Sequence, residues 1–493
     1  MTVLDHLIEM SSRESRGGAK INRYWLPLER LTLDSIAIEG DDIWFYMTDF
    51  PTDFSPRRGI GQIKLKDSKG EFNQYVLSEF QREKPEEIRK RLEAVRLGLL
   101  SHEEALRRAL ADRIWRSIGQ GIAAHDGHVW YGETEGTWLV KGNDKGASSI
   151  HAPKQQAFCK MNTKTNRVTK YLFPALEEDP SLGLFPFRLD LDPSGRRVWG
   201  TNQRIHAWIF DTATKKLKML TIGKFAERKL LGPPFDSKTE ELVIPAPEHL
   251  LRDVAVEPSG ERGWLIDYNE ALYLFDSEKG SILKYPLTGF CPIAVDLAPD
   301  GKVWCTSVAH ERWQNLLPQD LKEEIRKGIY VGYILSLNPK ENELTAYQIS
   351  MGCLHPEGIL AADKNEIWFG FGGATSGVDW GLSRLNPEEN EGLTKVVAPQ
   401  EVEDWRLAEY DTSEVEGEEI SFRTFDIYPD QPVKHEYPQS YSTIISRHAP
   451  RQNFLFYSLE DRRRRTVRDL AQDSKGRIWF TTWGGGYVGV LTP

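Results

Sequence analysis

Cysteine is scarce in this chain, with 4 among 493 residues, and none falls in a CxxC pair or at metal-ligand spacing. Four thiols (Cys159, Cys291, Cys305, Cys353) in so long a chain exclude a disulfide-stapled scaffold. The expectation is a reduced, cytoplasmic protein. No stretch approaches the roughly 18 consecutive apolar residues of a membrane span, so no membrane partner is expected. Residues 1–20 are polar and charged and lack the apolar core of a signal peptide. Positive charge is also in deficit: 63 Lys and Arg face 73 Asp and Glu, for a net charge of −10. That balance argues against nucleic acid as a partner. The short basic run from Arg462 to Arg465 reads as a solvated edge. Catalytic signatures are absent too: there is no GxSxG elbow, no HExxH pair and no phosphate loop.

Tryptophan, by contrast, is plentiful, and seven copies share one setting. A short hydrophobic strand ends in a turn containing Gly or Asp, and Trp44, Trp130, Trp199, Trp264, Trp304, Trp368 or Trp479 follows within a few residues. The block from Arg252 to Pro286 shows a whole unit. Asp253–Glu257 is one strand pattern, Gly263–Asp267 a second, Leu272–Asp276 a third and Ile282–Tyr285 a fourth, with Pro258-Ser259-Gly260 and Ser277–Gly280 turning the chain between them. The forty residues from Trp264 to Trp304 match the ~40-residue length of a four-stranded propeller blade. Such a unit cannot bury its own apolar faces and must stack on its neighbours. The tryptophans are expected between blades, where a large flat side chain covers most surface.

The expected fold is all-β: a single domain over residues 1–493, a seven-bladed β-propeller. An N-terminal strand, residues 21–26, is expected to complete the last blade against residues 487–491, removing a sheet edge. Insertions are expected at 79–118, 134–155, 222–250, 308–328, 391–418 and 429–465, five of the six on one face. The first reads as helical. Pro85 opens a helix with Ile88, Leu92, Val95 and Leu99 on one side, and Ser101 and Glu104 form a capping box for a second. Pro318 and Gly328 bracket another short helix.

In a propeller the first strands line the central channel and begin at that decorated face. Cys353–Ile359 is therefore expected at the channel mouth, with His355 and Glu357 as base and acid or as metal donors. Arg188, Arg252 and Arg468 lie near strand starts, where they can bind a carboxylate or phosphate. Glu133, Asp267, His310 and Trp483 emerge on the same face, each after a tryptophan-bearing strand.

The block Thr466–Thr482 resembles the repeat of two-component-regulator propellers. Continued through Trp483-Gly484 and Val488-Gly489, it also resembles the streptogramin (virginiamycin B) lyase family, as does Pro356-Glu357-Gly358-Ile359 before Trp368. The lyase resemblance implies opening of cyclic depsipeptide esters by elimination, with Mg2+ beside histidine and glutamate at the channel mouth. Glu133 alone keeps the Trp-x-x-Glu register.

The functional expectation is a binding or interaction module that engages a protein partner or a small ligand at the channel mouth. The alternative is a metal-assisted lyase or hydrolase using His355, Glu357, His310 and Glu133. A third reading is sugar stacking on Trp138, Trp313, Trp380 or Trp483.

Overall fold

A computed structural model describes residues 10–13, 20–26, 31–49, 57–66, 69–79, 85–101, 103–105, 115–143, 146–174, 188–202, 205–230, 242–247, 249–309, 331–351, 354–373, 381–427, 433–434, 439–442, 454–458, 466–483 and 486–492. Strand patterns separated by turn residues fold into antiparallel sheets, and seven of these form a β-propeller. The innermost strands of blades 1 to 7 are Leu31–Glu39, Trp115–His125, Arg188–Leu191, Leu251–Val256, Phe290–Leu297, Leu354–Asp363 and Thr466–Gln472. Each touches the next in that order, and the last touches the first. In blade 7, Lys20–Trp25 pairs with Tyr487–Thr492, placing Ile21 opposite Leu491 and Tyr24 opposite Val488. That sheet joins a strand from one end of the chain to three from the other.

All seven repeat tryptophans are buried. They fill the seams between blades: Trp264 of blade 4 packs with Val295, Val303 and Cys305 of blade 5. Glycine on the neighbouring blade makes room, since a Cβ on Gly263 would stand 2.6 Å from the Trp199 ring.

Near the axis the inner strands crowd, and carboxylates bridge the seams. Asp190 accepts the Val256 N–H at 2.7 Å, Asp253 that of Val295 at 3.1 Å, Asp296 that of Ala361 at 2.7 Å and Asp469 that of Ile36 at 3.1 Å. These bonds link blade 3 to 4, 4 to 5, 5 to 6 and 7 to 1. Each aspartate also accepts the N–H of its own following residue. At two other seams glycine admits the neighbouring backbone: a Cβ on Gly121 would lie 2.3 Å from the Leu189 nitrogen, and one on Gly358 2.6 Å from the Arg468 carbonyl.

The insertions take forms that a reading of repeats did not anticipate. Residues 134–155, expected as a loop, are the outer part of a long hairpin, His128–Asn143 against Gly146–Asn162, with Asn143 opposite Gly146. The segment 222–250 carries the hairpin Phe225–Leu230 with Leu242–Pro247. Within 79–118, Pro85–Arg96 is a helix, while Glu79 and residues 115–118 belong to flanking strands. The helix ends at Arg96, so Leu99, expected on its apolar side, lies beyond it, and both Leu92 and Leu99 are exposed. Ser101 Oγ accepts the Glu104 N–H at 3.0 Å, as a capping residue does. Most of 308–328, including the helix expected between Pro318 and Gly328, lies outside the described residues.

The segments 391–418 and 429–465 are not two insertions but parts of one excursion inside blade 6. It leaves after that blade's third strand, Gly381–Leu385, and its fourth strand comes only at Phe454–Ser458. Between them the chain runs backwards around the propeller as a belt. Leu393–Val396 pairs with the outer strand of blade 5, Gln400–Glu401 with blade 4, Trp405–Asp411 with blade 3, Ser413–Glu419 with blade 2, Phe422–Ile427 with blade 1 and Val433–Lys434 with blade 7. Every pairing is antiparallel and adds a fifth strand. This excursion lies around the circumference rather than on one face.

Gly263→Ala is expected to lower stability by about 1–3 kcal/mol, because its methyl group must displace the Trp199 ring or the strand itself. Urea unfolding measures the loss, and an unchanged midpoint would show that the seam has slack.

Candidate functional site

The inner strands of all seven blades enclose a cavity of about 340 Å³ on the axis. At the end where those strands begin, ion pairs span the channel. Arg468 of blade 7 donates to Glu357 of blade 6 at 2.8 Å and lies 3.2 Å from Asp34 of blade 1. Arg252 of blade 4 reaches the same Glu357 oxygen at 3.7 Å. Arg188 of blade 3 meets Asp469 of blade 7 at 3.5 Å. Blades 4 and 6, like 3 and 7, are not neighbours, so these contacts cross the opening.

Aromatic rings flank the cations. The Arg468 guanidinium sits over Trp483 at 5.1 Å and that of Arg252 over Tyr268 at 5.6 Å. Trp483 ends its strand with 43% of its surface exposed, the polar neighbourhood notwithstanding. The backbone beneath Glu357 is held by Thr306, whose hydroxyl donates to the Glu357 carbonyl at 2.6 Å while accepting the Ala294 N–H at 3.1 Å.

Four of the residues singled out by sequence thus meet in one place: Arg188, Arg252, Arg468 and Glu357, with Trp483 at the rim. Others do not join them. Glu133 is buried within blade 2, where Lys170 donates to it at 2.7 Å and the Cys159 thiol at 3.5 Å. Asp267 is fully buried and committed to structure. It holds His249 Nδ1 at 2.6 Å and accepts the N–H groups of Leu250 and Asn269, each at 2.9 Å. This ties the segment entering blade 4 to the turn after its second strand and so fixes the approach to Arg252. His355 lies in the inner strand of blade 6 opposite Gly372. Its side chain, and all of His310, lie outside the described residues. So do Trp313, Trp380 and the side chain of Trp138.

Among the described residues, the magnesium implied by the lyase resemblance finds no fitting donor set. Glu357 is shared by two guanidinium groups, and Glu133 belongs to a different environment. Among the described residues no group of three His, Cys, Asp or Glu is placed to hold a metal ion.

Asp34, Asp253, Asp469 and His249 were missed by sequence reasoning. The signal was present for two of them, because Arg252-Asp253-Val254 and Arg468-Asp469-Leu470 repeat one pattern in one register. Along the channel, burial pushes Asp190 up to about 7 and Asp296 and Asp469 each up to about 6. Nearby carboxylates reinforce the shift at each.

No protein-family profile matches the chain, and no curated protein matches it. Among solved structures, it is similar to the extracellular domain of a hybrid two-component system protein from Bacteroides thetaiotaomicron, at 13% identity and a TM-score of 0.42. That match covers 94% of this chain and 40% of the other, so the chain spans well under half of that protein's length. A structural-genomics protein of unknown function from the same organism matches at 10% identity and a TM-score of 0.32, over 95% of this chain and 99% of its own.

The raised carboxyl pKa values give a pH dependence. Unfolded aspartate ionises near pH 4, so between about pH 4 and 7 the folded protein keeps protons that the unfolded chain releases. Stability from these groups is fully present below the unfolded value and is lost as pH rises through about 6 to 7. The thermal midpoint is expected to fall from about pH 5 to 8, with a shallower fall in Asp190→Asn. Equal slopes in the two proteins would show that Asp190 ionises freely.

Proposed function

We propose that the protein is a binding module whose channel mouth takes an anionic group, a carboxylate or a phosphate, borne by a small ligand or by a protein partner. Arg252 carries this reading. It is largely buried, and burial outweighs Glu357 in pulling its pKa below the ordinary arginine value. Among the described residues its carboxylate contact is one oxygen at 3.7 Å, which Arg468 already holds at 2.8 Å. An incoming anion supplies the second partner that this cation needs. A guanidinium suits the task because its planar fork grips carboxylate or phosphate with two parallel bonds. Tyr268 and Trp483 hold the two guanidinium planes, which lowers the entropy lost on binding, and the exposed Trp483 ring offers an apolar face for the rest of the ligand.

A cytoplasmic setting belongs to this reading. Cys159, Cys291 and Cys305 are buried free thiols, as a reducing compartment permits.

Thermal-shift titration with inorganic phosphate, sulfate and a panel of mono- and dicarboxylates tests the proposal. At least one anion is expected to raise the unfolding midpoint of the wild type, and Arg252→Ala to weaken its binding about tenfold or more, the loss of one charge-assisted hydrogen bond. Stabilisation that survives unchanged in Arg252→Ala, or no stabilisation by any anion, overturns it.

A further inference from the structure

We propose that the belt is a clamp laid around the ring, and that it makes the blades come apart as one unit rather than one by one. Its placement in the chain is the first ground. The outer strands of blades 1 to 5 all precede residue 386, whereas the inner strands of blade 7, Thr466–Gln472, Ile478–Trp483 and Tyr487–Thr492, follow the belt, so one continuous segment ties the early blades to the blade that closes the ring. The fourth strand of blade 6 itself, Phe454–Ser458, follows the belt in the chain.

The second ground is that belt residues bridge seams rather than merely lengthening sheets. Trp405 lies opposite Ile222 of blade 3, yet its ring meets Phe275 of blade 4 edge-on at 6.2 Å. Glu414 pairs on blade 2 opposite Tyr171, yet its carboxylate takes the Lys215 ammonium of blade 3. Beside it, the Thr412 hydroxyl donates to the Lys215 carbonyl at 2.9 Å. Parting blade 2 from 3, or 3 from 4, therefore requires the belt to peel away.

The third ground is charge. Residues 388–426 hold thirteen Asp and Glu against three Lys and Arg, a net −10 that equals the charge of the whole chain. Paired strands with acidic, solvent-facing side chains are poor templates for further strand addition. The clamp therefore ends the sheets as well as joining them.

The test keeps the full chain and cuts it after folding. A protease recognition sequence placed between Ala398 and Pro399, in the irregular connection between the blade 5 and blade 4 pairings, allows cleavage of the native protein. Unfolding rates in guanidinium are then compared before and after the cut, with far-ultraviolet circular dichroism confirming that the fold persists. Cleavage is expected to speed unfolding about tenfold or more, since the closed circuit no longer restrains the ring. Equal rates before and after cleavage overturn the proposal. Should insertion impair folding, Trp405→Ala and Thr412→Ala in the uncut protein give a second reading: together they are expected to accelerate unfolding more than Glu403→Ala, an exposed belt residue, and equal effects also overturn it.

Discussion

Seven sheets that converge on one axis must bring their innermost backbones close together, and this crowding governs what side chains the inner strands can carry. Large residues do not fit at the seams nearest the axis. Glycine at 121 and 358 admits a neighbouring backbone, and aspartate at 190, 253, 296 and 469 reaches across to a neighbouring N–H. Bulk moves outward, where the seven tryptophans cover the wide parts of the same seams. A channel lined by backbone and short acidic side chains follows from geometry. It also creates a demand for cations, which Arg188 and Arg468 meet from the strand starts.

Crowding at the axis has a counterpart at the rim, where each sheet presents an outermost strand with unused backbone groups. Exposed edges of that kind invite strand addition by other molecules. Six blades have theirs occupied by the belt. The partner ladders are long at blades 3 and 1, where Lys216 to Ile222 pairs with Asp411 to Trp405 and Gly70 to Tyr75 pairs with Ile427 to Phe422. They are short at blades 4 and 7, with two residue pairs each. The belt's grip is therefore strongest where aromatic contacts also occur, as with Phe425 on Phe72 and Phe422 on Tyr75.

The blades were legible because the repeat is local: strand, turn and tryptophan fall within a dozen or so residues, and period-two alternation marks the strands. The same register placed Arg252, Arg468 and Glu357 near strand starts, and the structure brings them together. The belt was not legible. Its strands lack the tryptophan unit, and each partner lies far away in sequence, as Glu419 does from Arg167 or Phe422 from Tyr75. Pairing at that distance leaves no periodic trace in one chain, so one excursion read as two loops. Glu133 misled for a related reason. Its distance from Trp130 matched a motif, but strand alternation alone does not tell whether a side chain meets the channel or, as here, Lys170 on its own sheet.

The electrostatics of the channel mouth decide what kind of binding it can support. An isolated guanidinium taken from water costs several kcal/mol, so the arginines there need carboxylates to remain buried and charged. Glu357 serves two of them with one oxygen, and the sharing is unequal, 2.8 Å to Arg468 and 3.7 Å to Arg252. A ligand anion that takes Arg252 need not break the Arg468 contact, so it gains a charge-assisted pair without leaving Glu357 unpaired. Arg188 is less available, because three carboxylates act on it and hold its pKa up against burial. On the proposed reading, affinity at this mouth rests on Arg252 and the rings beside it, with Arg468, Glu357 and Asp34 as the frame that keeps it in place.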